Sequence, residues 1–249
     1  MFRIFLRLAV LPIAFAIMLA AQSAQANDKL TLLLDWFVNP DHAPIFVAQE
    51  RGYFAARGLD VEIVAPADPN DPPKLVAAGR ADIAVSYQPQ LYVQVAAGLP
   101  LTRFGTLIAT PLNTLLVLED GPVKSIADLK GRKIGFSVGG FEDALLRAML
   151  ARHGLSLDDI TLVNVNFSLS PALLAGQVDA VIGAYRNFEL NQMDIEGYRG
   201  RAFYVEEHGV PSYDELILVA NPEHMDRAVL RRFLDALEDG VQYLVNHPE

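Results

Sequence analysis

Two stretches decide how this chain folds: "PPKLVAAGRADIAVS", residues 72–86, and "SPALLAGQVDAVIGA", residues 170–184. Each runs in the same order: a proline, a short apolar helix pattern, a glycine, a polar residue, an Ala-Asp or Val-Asp pair, and an apolar strand pattern. Proline suits the first turn of a helix and glycine its end. The repeat of the whole order, about 100 positions apart, predicts two similar α/β lobes. Both strand patterns end in a polar aromatic cluster, "SYQPQ" and "AYRNFE". In open α/β sheets, ligands bind beyond the carboxyl ends of the strands, so these clusters are the first candidates for a site.

Outward from the two stretches, strand and helix patterns alternate. In the first half, "LTLLLDW" reads as a buried strand and "APIFVAQERGYFAARG" as one amphipathic helix. "LDVEIV" is a strand, "PQLYVQVAAG" a helix and "LTRFGTLIA" a strand. The second half restarts with "NTLLVLED" and "SIADLKG". It continues through the strand "KIGFSV", the helix "FEDALLRAMLARHG", the strand "ITLVNV" and, later, "ELILVA". A long closing helix starts near Asp226 and is still running at Val245. Alternation of this kind predicts a mostly parallel sheet in each lobe, with helices on both faces. The crossings are expected near residues 110–113 and 211–215. They divide the chain into 27–112 (first lobe), 113–214 (second lobe) and 215–249 (return to the first lobe). The chain stops abruptly after "VQYLVNHPE": either the lobe ends there or the sequence is a fragment.

Residues 1–26 stand apart. Arg3 and Arg7 flank a short basic start, Leu8 to Ala21 is apolar apart from Pro12, and Ala24-Gln25-Ala26 supplies small residues for cleavage. This is the pattern of a secretory signal peptide, so the mature chain is expected to be exported and periplasmic. With 52% hydrophobic residues and no Cys, the core must stabilise it without disulfides. Zinc–thiolate and thiolate-nucleophile chemistry are excluded. Without the two leader arginines, 18 basic residues face 30 acidic ones, a net charge of −12. That argues against nucleic acid as a partner. The histidines show no HExxH-like spacing and "GxSxG" is missing, so neither a metal site nor a hydrolase elbow is expected.

The richest stretch is "LDWFVNPDHAP", residues 34–44, with the only Trp of the chain. Trp36, Tyr87 and Tyr185 sit at three strand ends and suit flat walls for an aromatic ring. Glu189 lies four residues after Tyr185, on the same face if a helix begins there, and its carboxylate can accept from an amino group and a ring N–H. Asn39 offers a donor and an acceptor in a loop fixed by Pro40 and Pro44. Asp41 reads as a helix cap with His42 beside it. In "GFSVGGFED", the backbone N–H groups of the Gly139-Gly140 turn are able to meet a polar ligand group.

"LDWFVNPDHAPIFVAQERGYFAARGLDVEIV", "DPPKLVAAGRADIAVSY" and "SIADLKGRKIGFSVGG" together resemble the bacterial periplasmic binding proteins of the thiamin-pyrimidine group. These are formylaminopyrimidine-binding components of ABC importers, related to fungal pyrimidine synthases. "DWxxNxxH" carries the specific part of the likeness. The resemblance implies a type II two-lobe binding-protein fold with the ligand clamped at the hinge. It also implies a non-enzymatic monomer without a cofactor, working with a membrane permease. Trp36, Asn39, Tyr185 and Glu189 fall at the pyrimidine-facing positions, with His42, Ser86, Tyr87, Gly139 and Gly140 as further ligand-binding candidates. Two rivals predict other chemistry. A receptor for an alkyl sulfonate, taurine or nitrate-type anion needs a cation, and Arg186 is the one nearby. A pyridoxal-phosphate-dependent synthase needs a lysine, and Lys74 is the candidate near a strand end.

Overall fold

The computed structural model describes residues 27–248 and contains two five-stranded sheets. The expected leader, residues 1–26, lies outside the described residues. In the first sheet, β1 (Asp28–Leu33), β2 (Leu59–Val64), β3 (Ile83–Ser86) and β4 (Thr102–Ile108) are joined by a strand from the far end of the chain. That strand is β10 (Leu216–Ala220), and the order is β2-β1-β3-β10-β4. The second sheet holds β5 (Asn113–Leu118), β6 (Lys133–Phe136), β7 (Thr161–Asn164), β8 (Ala180–Tyr185) and β9 (Gly200–Tyr204), in the order β7-β6-β8-β5-β9. The two orders are equivalent. In each, three parallel strands are followed by one reversed strand and an edge strand antiparallel to it. The sheets are therefore mostly parallel, each with one reversed strand.

The reversed strand in each sheet is the one that has just crossed from the other lobe. Its first residues pair with the last residues of the central strand: Asn113 with Tyr185, and Ile217 with Ser86. Both crossings thus run past the carboxyl ends of β3 and β8, the strands of the repeated motif. Topology alone puts the hinge beside the carboxyl edge of both sheets.

Two elements differ from the sequence reading. Residues 43–58 form two helices, α1 (Ala43–Glu50) and α2 (Tyr53–Ala56), instead of one. Gly52 separates them at φ +71°, a left-handed conformation that ends a helix turn. Strand β9 was not foreseen. It is a half-buried edge strand, and its "GRAFY" lacks a continuous apolar run. Further helices are α3 (Pro72–Ala77), α4 (Gln88–Ala96), α5 (Glu142–Ala151), α6 (Leu169–Leu174), α7 (Glu189–Ile195) and α8 (Arg227–Asn246). Among the described residues no helix is long and apolar enough to cross a membrane.

The 20-residue α8 begins at Asp226, whose carboxylate accepts from the Ala228 and Val229 N–H groups at 2.8 and 3.3 Å. It closes the first lobe. Phe233 stacks on Phe54 at 5.1 Å between centroids, and Arg232 donates to the Arg57 carbonyl at 2.8 Å. Gly240 faces Ala48 and the Pro44 carbonyl of α1 so closely that a methyl group there would collide with backbone. Gly240→Ala is accordingly expected to destabilise the protein by on the order of 1–2 kcal/mol despite the better helix propensity of Ala. A fall in thermal midpoint with unchanged far-UV circular dichroism checks this.

Candidate functional site

β1 delivers Asp35 and Trp36 to the carboxyl edge of the first sheet. Asp35 is buried and accepts twice, from the Tyr87 hydroxyl and from His42 Nε2, each at 2.9 Å. A short helical turn, Pro40–His42, brings His42 back to it. The cap of that turn is Asn39, not Asp41: the side-chain Oδ1 of Asn39 accepts from the Asp41 N–H at 2.9 Å. The Asn39 N–H donates to His42 Nδ1 at 3.3 Å, so the ring carries its proton on Nε2, facing Asp35. The costly "DWxxNxxH" stretch is thus a self-supporting bracket that holds Asp35 and aims Trp36 across the gap between the lobes.

Trp36 belongs to the second lobe's apolar cluster with Leu169, Leu173 and Val181, and meets Phe167 edge-on at 4.8 Å. Tyr87 stacks on Phe141 of the other lobe at 4.9 Å and 14°. Asn187 donates to Asp41 at 2.6 Å. Asn70 bridges to the Ser137 carbonyl and the Gly139 N–H, both at 3.0 Å. The lobes are closed on one another.

Glu215 sits at the hinge, fully buried. One of its oxygens accepts from the Leu112 and Asn113 N–H groups at 2.7 and 2.9 Å, and from the Tyr213 hydroxyl at 3.0 Å. It therefore ties the first crossing to the second. Burial raises its pKa to about 7 against the pull of those donors.

Between the lobes lies a narrow cleft with a cavity volume of about 20 Å³, far below the ~300–1,000 Å³ of small-molecule sites, so the closed lobes leave room for little more than a water molecule. Of the sequence candidates, Trp36, Asn39, Tyr87, Tyr185 and Glu189 line it. The Glu189 carboxylate accepts the Tyr185 N–H at 2.6 Å, and the helix that would place both side chains on one face does not span the pair, because α7 begins only at Glu189. Asn39 spends its amide on its own loop: the Nδ2 group donates to the Phe37 carbonyl at 3.3 Å. The other four candidates lie elsewhere. His42 is fully buried behind Asp35, Ser86 donates to Gln90 at 3.0 Å, and Gly139 and Gly140 sit exposed at the rim.

Six further residues complete the lining: Asp35, Asn113, Phe141, Glu142, Gly183 and Phe188. Most of them adjoin segments already marked by the sequence. Phe141 and Glu142 follow the Gly139-Gly140 turn, and Asn113 opens the first strand after the crossing. Gly183 occupies a bulge in β8, where Thr114 pairs with Ala184 but Leu115 pairs with Ile182. Its φ of +105° and the Glu142 carboxylate packed against it leave no room for a side chain. Glu142 accepts from the Ser137 and Val138 N–H groups at 2.7 and 3.2 Å.

The cleft is acidic. Asp35, Asp41, Glu142, Glu189 and Glu215 are all buried. Burial and neighbouring carboxylates raise Glu142 to about 8 and Glu189 to about 7, and Asp41 is raised as well. No Lys or Arg is among the described lining residues. The Arg186 guanidinium is held by both Glu206 oxygens at 2.8 and 2.9 Å and lies over the Tyr204 ring. Aromatic walls with an excess of acceptors can hold a flat ring that carries N–H donors. Among the described residues no group of three or more metal-ligating side chains is assembled.

The NMT1/THI5 like family profile matches residues 39–249. The chain belongs to that family. Several NMT1/THI5-like relatives have names that bear on the cleft. A Haemophilus influenzae protein named for thiamine biosynthesis is 60% identical over 90% of this chain and 71% of its own length. The formylaminopyrimidine-binding protein of Halalkalibacterium halodurans is 34% identical over 98% of this chain and 74% of its own. A Schizosaccharomyces pombe 4-amino-5-hydroxymethyl-2-methylpyrimidine phosphate synthase is 30% identical over 87% and 68%. Among solved structures, the alkanesulfonate-binding protein of Xanthomonas axonopodis pv. citri superposes with a TM-score of 0.70 at 20% identity. That match covers 88% of this chain and 74% of the other. The fold is that of periplasmic binding proteins.

Three carboxyls with raised pKa make stability depend on pH. Between the ordinary Glu value and about 8 the folded protein holds more protons than the unfolded chain. The contribution of Glu142, Glu189 and Glu215 is therefore full at acid pH and is lost as pH rises through about 7 to 8. Thermal midpoints measured without ligand are expected to fall between pH 5.5 and 8.5, and Glu142→Gln to flatten that slope.

Proposed function

We propose that this protein is an exported receptor that binds an aminopyrimidine of the thiamin-precursor type, formylated or hydroxymethylated, and delivers it to the permease of an ABC importer. Residues 1–26 act as the export leader in this reading. Binding involves no chemical step: the ring enters between aromatic side chains, Glu189 accepts from the exocyclic amine, and the lobes close over it.

The observation that carries the reading is the pairing of aromatic walls (Trp36, Tyr87, Phe141, Tyr185) with buried carboxylates in a cleft lined by no Lys or Arg. An amine with two N–H donors relieves the crowding of acceptors, whereas a sulfonate adds a negative charge to it. The formylaminopyrimidine-binding relative supports the ligand class. The likeness to sulfonate receptors supports only the fold, and Arg186, the cation that an anion receptor would use, is committed to Glu206. A synthase built on pyridoxal phosphate needs a lysine for the aldehyde. Lys74 is exposed on α3 and does not line the cleft, so the residues present do not fit that cofactor.

The single Trp reports on the cleft. Titration of the purified protein with formylaminopyrimidine and hydroxymethylpyrimidine is expected to give a saturable change in Trp36 fluorescence, and taurine and pyridoxal phosphate none. A response to taurine alone would move the protein to the sulfonate receptors, and a response to pyridoxal phosphate alone would favour the synthase. Glu189→Gln is expected to weaken pyrimidine binding by ~1.5–3 kcal/mol, the worth of a charge-assisted hydrogen bond. Unchanged affinity would remove Glu189 from the contact.

A further inference from the structure

The amide of Asn113 can be oriented from its neighbours. The Gly183 N–H, 3.1 Å away, can only donate, so Asn113 must turn its Oδ1 towards it. The Nδ2 group is then directed elsewhere. Asn113 is 1% exposed, it lines the cleft, and Nδ2 has no partner among the described residues. A buried amide N–H without an acceptor is destabilising, so a ligand acceptor is its natural complement.

The same Gly183 faces Glu142. A Cβ at position 183 would strike the Oε1 and Cδ atoms of that carboxylate and crowd its Oε2. Oε2 is occupied by the Ser137 and Val138 N–H groups, while Oε1 has no donor among the protein hydrogen bonds described. The bulged glycine thus sets one free donor, Asn113 Nδ2, and one unpartnered oxygen, Glu142 Oε1, around a single backbone position on the cleft floor; burial raises Glu142 to about 8, and Oε1 becomes an acceptor when an amine bound beside it draws the carboxyl into its ionised form. The bulge is what allows this. A side chain at 183 would fill the space into which Glu142 reaches.

We propose that Asn113 and Glu142 form a specificity subsite that reads an amidine edge, a ring nitrogen acceptor next to an exocyclic N–H donor. Asn113 Nδ2 donates to the ring nitrogen, and Glu142 Oε1 accepts the amine hydrogen beside it. Glu189 takes the second amine hydrogen. The subsite rests on the aminopyrimidine reading and narrows it. It selects 4-aminopyrimidines over their 4-oxo counterparts, which present N–H and C=O in the reverse order and would set donor against donor and acceptor against acceptor.

Asn113→Asp tests this with little change of shape. It keeps the oxygen that receives the Gly183 N–H and replaces only the free amino group with an acceptor. Wild type and variant are titrated with hydroxymethylpyrimidine and with its 4-oxo analogue, and thermal midpoints are recorded for both proteins. The wild type is expected to favour the amino compound by roughly 100-fold or more, as sites built around buried hydrogen bonds do. In the variant, affinity for the amino compound falls about tenfold or more and the preference shrinks, because Asp can accept the ring N–H of the oxo compound. Glu142→Gln, which puts a neutral amide in place of the carboxylate, is expected to narrow the preference in the same direction. If Asn113→Asp binds both compounds as the wild type does, the subsite is overturned while the aminopyrimidine reading stands. If the wild type binds neither compound and does not bind formylaminopyrimidine either, the aminopyrimidine reading falls and the subsite with it.

Discussion

The Glu215 carboxylate is the constraint on which the rest of this structure depends. It is fully buried, and an unpaired charge in that position would be costly. It is tolerated because the first crossing turns two backbone N–H groups towards it and the second crossing adds the Tyr213 hydroxyl. The exchange runs both ways, since the Leu112 and Asn113 N–H groups find their acceptor in this side chain. Two chain segments more than 100 residues apart are pinned at one point. That point lies where the reversed strands β5 and β10 begin, so it also sets the distance between the carboxyl ends of β3 and β8. Tyr87 and Tyr185, which follow or end those strands, owe their relation across the cleft to it.

Around this fixed point the cleft is a balance of like charges. Asp35 and Asp41 come from the first lobe, Glu142 and Glu189 from the second. Closing the lobes brings these carboxyls together in a dry space and raises the proton affinity of Glu142 and Glu189. Aromatic packing, Tyr87 on Phe141 and Trp36 on Phe167, offsets part of the repulsion, and the Asn70 and Asn187 bridges add polar contacts. A ligand shifts a hinge only through interactions that differ between its two states. Under the proposed function an amine between Glu142 and Glu189 is such an interaction, because the closed form surrounds it with acceptors and the open form returns them to water.

The bracket at residues 35–42 shows how a motif can be recognised while its parts are assigned to the wrong tasks. Trp36 and Asn39 are both in the cleft wall, yet Asn39 works as a helix cap and His42 as the donor that orients Asp35. Asn-Pro-Asp-His is turn chemistry as much as ligand chemistry, and sequence spacing does not separate the two. The split between α1 and α2 was hidden for a similar reason. The apolar spacing continues through Gly52, and only its left-handed backbone breaks the helix.

What the sequence determined by itself was the set of local patterns and their order. The repeated proline–helix–glycine–strand unit, the alternation of elements, and the aromatic and polar clusters at three strand ends follow from periodicity and turn chemistry within about 15 residues. Those features bring out the two-lobe architecture and five of the eleven residues that line the cleft. Tertiary structure alone decided which side chains share the cleft floor. Asn113, Glu142 and Gly183 come from β5, the start of α5 and a bulge in β8, and they meet through strand pairing across a 70-residue separation. A glycine inside a strand and a glutamate at a helix start have ordinary local explanations. Their juxtaposition appears only when the bulge removes a side chain and the carboxylate takes the space.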